Sequence, residues 1–278
     1  MGRKPALANR ILAGVFVTAV FVFLFAPVLI VVVFSFQGPP RLGPPLEDIG
    51  LHWYRRMFNN TVYMDAFRNT IVLAAISMVI ALVLGTMTAL GLRRAGRRLG
   101  ALGNILFFMP LATPSLFVGL ALLAYFDTVG VPLSHGTVAV AHFLWVFPYF
   151  LIVARSGLDR LDPQYEEVGA DLGLAPLGQF RRIVLPLTFP ILIGGAVLAF
   201  SLSTDEFVRT LFTIGPDSTI PIVLWGQFRR GSDPTVNALA TILLVISITA
   251  AIAALGLVGA RFNRNARTSG RGRKGVAG

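Results

Sequence analysis

Six stretches of the chain run without a charged side chain: residues 11–36, 69–92, 99–126, 137–154, 183–204 and 236–260. A helix rising about 1.5 Å per residue needs about 20 mostly apolar residues to cross the hydrocarbon of a bilayer. A charge at mid-span costs roughly 2.5–3.5 kcal/mol on insertion, so charge-free runs trace the spans. The third and fourth runs are separated by Asp127 and by turn chemistry at Gly130, Pro132 and Gly136, which places a break at 127–136. The pattern predicts an all-α membrane protein with six transmembrane helices, organised as one domain over 1–278. The first run follows Arg3, Lys4 and Arg10 and exceeds the roughly 7–15 apolar residues of a signal-peptide core, so it is expected to stay as a span.

Composition agrees with a bilayer as solvent. Of the 278 residues 55% are hydrophobic and 13% charged, and the mean hydropathy is +0.75. The cations set the orientation, because Lys and Arg collect in cytoplasmic loops. The N-terminus holds three. Arg93, Arg94, Arg97 and Arg98 follow the second span, Arg155, Arg160, Arg181 and Arg182 follow the fourth, and the tail at 261–278 holds six, which together make 17 of the 24. Both termini are therefore expected on the cytoplasmic side of an inner membrane. The Gly-, Asn- and Ser-containing basic tail is expected to be irregular or lipid-facing. A net charge of +11 set beside apolar spans does not make a nucleic-acid surface, which needs a basic face on a soluble module. There is no cysteine, and His52, His135 and His142 are too scattered for a metal cluster, so no metal site and no catalytic constellation is expected.

Pro110 and Pro114 in the third span, Pro148 in the fourth, and Pro186 and Pro190 in the fifth each remove a helical hydrogen bond. Kinks there suit a gated pathway, although proline is also simply commoner in membrane helices. In the outer loop at 37–65, Leu51, Trp53, Tyr54, Met57 and Phe58 with Arg55 and Arg56 between them predict a short amphipathic helix anchored at the headgroups.

The cytoplasmic loop at 155–182 carries the strongest local signal. Asp162 can cap a helix whose first residue is Pro163, and Gly173 can stop it in a left-handed turn, giving about ten residues. Leu161, Tyr165, Val168 and Leu172 fall on one stripe, with Glu166, Glu167 and Asp171 predicted to face away. A helix lying on an anionic leaflet would carry Lys or Arg on its polar face. Three acids there favour a protein partner.

This loop resembles the EAA motif of bacterial ABC-importer permeases. Glu167-Val168-Gly169 stands at the Glu-Ala-Ala triplet, Gly173 at the following glycine, and Ile183-Val184-Leu185-Pro186 at the Ile-x-Leu-Pro beyond it. Val168-Gly169 departs from Ala-Ala, and a mid-helix glycine weakens a helix by about 1 kcal/mol. The resemblance extends from Trp53-Tyr54 to the sixth span. Residues 200–207, Gly215-Pro216 and the run at 236–241 are similar to the PotC-like spermidine/putrescine branch. It implies the MetI-like type I importer-permease fold, with Tyr165, Glu166, Glu167, Val168, Gly169, Asp171, Leu172, Gly173, Ile183, Leu185 and Pro186 coupling to the ATPase. It also implies the partners: a dimer of ATP-binding subunits, a second, paralogous permease, a periplasmic or lipid-anchored solute-binding protein, and membrane lipid.

A P-loop needs a lysine between glycines and Ser/Thr, and the chain has only Lys4 and Lys274 and no such motif. The motor must then be another polypeptide, which would hold the ATP and Mg, and this chain carries no cofactor. Ser203, Asp205, Glu206, Phe207 and Trp225 are the candidate pathway residues, because carboxylates and aromatics can replace part of a polycation's hydration. The alternative is that Asp205 and Glu206 end the fifth span at the headgroups, with Arg209 as partner. Aminoethylphosphonate, an iron complex or another small cation remain alternative cargoes. A secondary transporter would favour a longer chain with internal inverted repeats and charges buried at mid-span, and every span here is nearly charge-free.

Overall fold

The computed structural model describes residues 7–38, 48–230 and 234–274. Arg3, Lys4, residues 39–47 of the outer loop and the last four residues of the tail lie outside the described residues. In chain order the helices are α1 (Leu7–Phe34), α2 (His52–Phe58), α3 (Thr61–Arg94), α4 (Arg97–Ala112), α5 (Ser115–Thr128), α6 (His135–Leu158), α7 (Gln164–Asp171), α8 (Pro176–Gln179), a π-turn at Phe180–Val184, α9 (Leu185–Thr204), α10 (Val208–Thr213), α11 (Ile220–Arg230) and α12 (Thr235–Lys274). Five helices among the described residues are long and apolar enough to cross a membrane: Ile11–Phe34, Thr61–Arg94, His135–Leu158, Pro176–Thr204 and Thr235–Gly256.

The expected third span, 99–126, is broken. Arg98–Ala112 and Ser115–Thr128 meet at 102°, so the two count as a sixth span only if the bent pair is one crossing. Pro114 is the cause. It forces Thr113 out of the helical region to an extended ψ of 125°, and Pro114 itself continues extended at ψ 136°. The Thr113 hydroxyl donates to the Met109 carbonyl at 3.2 Å, which satisfies part of the opened turn. At the other end, where the reading is of an irregular or lipid-facing tail from Arg261, the backbone of α12 continues as helix to Lys274, which removes only the irregular alternative there.

The chain forms two compact units, Met1–Met64 with Leu224–Val245, and Asp65–Val223 with Ile246–Gly278. In the first, none of the Ile11–Phe34 span is buried by the chain. The expected outer helix exists as α2. Its Trp53 and Met57 are buried rather than at a headgroup surface. The Trp53 Nε1–H donates to the Gln37 carbonyl at 2.7 Å, and the Tyr54 and Ser35 hydroxyls share a hydrogen bond of 2.7 Å. Burial of the indole with its one polar atom paired satisfies both ends of the side chain.

The second unit is built around α6, the most buried span. Its Val146, Phe147, Phe150, Leu151, Ala154 and Leu158 meet Ala81 and Ala89 of α3 and Leu192, Ala196 and Ala199 of α9. Small residues let the helices approach. A Cβ on Gly85 would collide with the Phe150 ring, and one on Gly195 would stand 3.1 Å from the ring's other edge. Phe150 is thus held between two glycines, the close packing that drives helix association where lipid removes the hydrophobic drive. α6 begins where the Ser134 N–H donates to the Thr137 hydroxyl at 2.8 Å, and that hydroxyl donates to the Thr213 carbonyl at 2.7 Å.

Candidate functional site

The loop between the fourth and fifth spans folds as expected at both ends. The Asp162 carboxylate accepts the Gln164 N–H at 3.0 Å, the capping bond its position calls for. Regular helix runs over the eight residues Gln164–Asp171, a little shorter than the ten expected, with Pro163 in the preceding turn. Gly173 has φ 78°. Its N–H bonds the Ala170 carbonyl at 2.8 Å and the Leu174 N–H bonds the Gly169 carbonyl at 3.0 Å, the paired bonds of a Schellman stop.

The faces of α7 correct one expectation. Glu166 does not face away with the other acids. It turns inward, where the Arg93 Nη1–H donates to its Oε1 at 2.6 Å and the Arg94 Nη2–H donates to its Oε2 at 3.3 Å. Glu167 and Asp171 are exposed. Of the apolar stripe, Leu161 is buried, while Tyr165 (55%), Val168 (56%) and Leu172 (77%) are open. Open apolar side chains on a short capped helix are a surface awaiting a partner. Gly169 is the inward small residue. A Cβ there would lie 2.6 Å from Cδ1 of Ile183, so the departure from alanine lets α7 seat more closely on the π-turn. Leu185 and Pro186 follow at the start of α9. A proline there supplies no N–H to the preceding turn, and the π-turn just before it absorbs the irregularity.

The candidate pathway residues differ in burial and in partners. Glu206 is buried and committed within the chain: Oε1 accepts the Arg209 N–H at 2.9 Å and Oε2 accepts Arg209 Nη1–H at 2.8 Å. Arg209 is 1% exposed, with its guanidinium 4.4 Å from the centroid of the Trp145 ring. This is the arginine partner of the alternative reading, and it holds the carboxylate at the break between α9 and α10. Ser203 is also buried, its hydroxyl 2.6 Å from His142 Nδ1. The Thr210 hydroxyl spends its proton on the Glu206 carbonyl, so His142 Nε2 must donate to Thr210 at 2.7 Å, leaving Nδ1 for Ser203. Asp205, the last residue of the α9 turn, is exposed, although the walls beside it desolvate the carboxyl and raise its pKa above the usual value. Phe207 is half-buried. Trp225, on α11, belongs to the other unit and is half exposed.

His142, bonded to Ser203 and Thr210, gave no signal along the chain, whereas Arg209 is the partner that the alternative reading of Glu206 names. The spacing of Glu206 and Arg209 was the available signal, since residues three apart on a helical turn are neighbours. No group of three or more His, Cys, Asp or Glu among the described residues is placed to hold a metal ion.

Residues 81–267 match the family model for "binding-protein-dependent transport system inner membrane component". The chain is 32% identical over 248 residues to the spermidine/putrescine transport system permease protein PotC of Escherichia coli (strain K12), covering 89% of this chain and 94% of that protein. It is 35% identical over 247 residues to the putrescine transport system permease protein PotI of the same strain, covering 86% and 85%. Among solved structures, a chain of a bacterial ABC transporter that imports the acidic polysaccharide alginate superposes with a TM-score of 0.70 at 15% identity, over 88% of this chain and 94% of that one. A chain of the inward-facing MetNI methionine ABC transporter superposes with a TM-score of 0.62 at 14% identity, over 72% and 96%.

Proposed function

The chain belongs to the family of binding-protein-dependent transport system inner membrane components, and from that premise we propose that it is the membrane-spanning permease subunit of an ATP-driven importer of polyamines. The observation that carries this is the kinship with permeases named for spermidine/putrescine and for putrescine, which spans nearly the whole of each protein. The chain itself does no ATP chemistry. With no P-loop anywhere in its sequence, it works as the non-catalytic partner of a separate ATPase.

ATP and Mg are bound by a dimer of ATP-binding subunits on the cytoplasmic side. Tyr165, Val168 and Leu172 supply the apolar contacts to one of them, and exposed Glu167 and Asp171 meet its basic groups. The acids at the start of α7 also suit the positive end of its macrodipole. A second, paralogous permease completes the pathway, and a periplasmic or lipid-anchored binding protein delivers the solute. The N- and C-termini lie in the cytoplasm, as the distribution of Lys and Arg requires. A polyamine is a flexible polycation, and Asp205 is the exposed carboxylate at the end of the fifth span that can replace part of its hydration.

The test is uptake of labelled putrescine and spermidine into vesicles that hold the whole complex, with unlabelled competitors. ATP-dependent accumulation competed by polyamines is expected. Accumulation blocked only by aminoethylphosphonate, an iron complex or another unrelated solute would refute the cargo and keep the permease.

A further inference from the structure

We infer that Arg93 and Glu166 form a positioning clamp that ties the coupling helix α7 to the second span, so that a displacement of α7 moves α3 as well as α9. The inference rests on the function proposed above; it adds Arg93 to the coupling machinery and makes Glu166 a positioning residue there rather than a contact to the ATPase.

The guanidinium of Arg93 grips the loop at two points. Its Nη1–H donates to Glu166 in the first turn of α7 at 2.6 Å, and its Nη2–H donates to the Leu161 carbonyl ahead of the helix at 3.2 Å. Leu161 is itself buried in the core that includes α6. A planar fork bonded to two acceptors fixes direction as well as distance, which a single ammonium cannot do. Arg94 adds a second, more exposed cation to the same carboxylate. Both side chains of the Arg93–Glu166 pair are only 20% exposed, so solvent screens it less than an open surface pair.

The opposite flank of α7 is held by packing. Gly169 seats on Ile183 of the π-turn that leads into α9, and the Gln179 amide donates to the Leu174 carbonyl at 3.0 Å. α7 is therefore a crosspiece with one flank tied to α3 by charge and the other to α9 by van der Waals contact. These two supports are the walls of one apolar groove of about 830 Å³, lined by Leu82, Leu90, Phe180, Leu185 and Phe189 among others. Moving the crosspiece moves both walls only while both ties hold. Tyr165, Val168 and Leu172, open on the outer face, are not part of the clamp. Docking and transmission thus use different faces of one helix, and they can be separated by mutation.

The experiment uses the complete complex in proteoliposomes, with Arg93→Gln, Glu166→Gln, the double variant and Arg93→Lys. The readouts are stimulated ATP hydrolysis, putrescine accumulated per ATP, and a distance between spin labels. The chain has no cysteine, so Val83→Cys on α3 and Leu187→Cys on α9, both exposed, can carry the labels with no other change to this chain, in a complex whose other subunits are free of reactive cysteine. The expected result is near-normal stimulated hydrolysis in each single variant, with putrescine per ATP lower by on the order of fivefold, the low end of coupling between distant sites. The nucleotide-dependent change in label distance should be reduced in step. The double variant should be no worse than either single, because the two residues act as one unit, and Arg93→Lys should recover part of the ratio. Three results would overturn the clamp: a wild-type label-distance change in the single variants, hydrolysis and uptake falling together, or additive losses in the double. A wild-type complex with no stimulated hydrolysis would instead overturn the proposed function. If stimulated hydrolysis is normal but putrescine is not the cargo, the label distances decide the clamp alone.

Discussion

Replacing Leu172 by alanine removes apolar surface from the outer face of α7 without touching what holds the helix in place. Leu172 is 77% exposed and follows the last regular residue of the helix. Fully burying a leucine side chain contributes about 1.5–3 kcal/mol, and alanine retains a fraction of that. Most of the side chain is free to be covered, so the substitution should cost about 1–2 kcal/mol of docking free energy, or about 5- to 30-fold in the affinity of the ATP-binding subunit. The assay is titration of that subunit onto nanodiscs holding the permease pair, followed by stimulated hydrolysis at saturating subunit. An apolar contact should resist added salt, so the deficit should persist as ionic strength rises. An affinity within twofold of wild type for both Leu172→Ala and Val168→Ala would refute the assignment of this face to docking.

Charge reversal at Glu167, which is exposed and clear of the clamp, should leave the protein in the membrane and weaken ATPase stimulation in a salt-dependent way, read by the same titration. Gly173→Ala asks a residue with a Cβ to take φ 78°, at a cost of roughly 1–2 kcal/mol, and should lower coupled uptake while leaving the thermal unfolding of the bundle unchanged. Gly85→Leu drives a side chain into Phe150 and should destabilise the bundle by at least the 1–3 kcal/mol typical of overpacking, visible as a lower melting temperature in detergent. Glu206→Gln strands the Arg209 charge in the interior at a cost of about 3–5 kcal/mol and should reduce the amount of folded protein, whereas Asp205→Asn should fold normally and slow polyamine uptake. Normal uptake by Asp205→Asn would remove that residue from the pathway.

The spans were legible because insertion free energy is nearly a sum over residues, so that charge-free runs of the right length mark helices whatever their neighbours do. The two ends of α7 were legible for a similar reason: Asp162 and Gly173 act on backbone groups within a few residues of themselves. The break at Thr113–Pro114 carried a proline signal, but a proline in a span can kink it gently or stop it. Only the packed chain decided on 102°.

The amino-acid sequence by itself determined a six-run apolar chain, its family, the absence of a P-loop and a capped helix between the fourth and fifth spans, because each depends on local chemistry or on spacing along the chain. Which way the acids of that helix point was decided only by tertiary structure. Helical periodicity grouped Glu166 with Glu167 and Asp171, and it could not register Arg93, 73 residues earlier, standing 2.6 Å from one of them. Glu206 was settled the same way, since a carboxylate near the end of a span looks alike in sequence whether it meets a solute or, as here, a buried arginine. Charge pairs form across space, and the cost of burying a charge unpaired selects the partner only once the helices have come together.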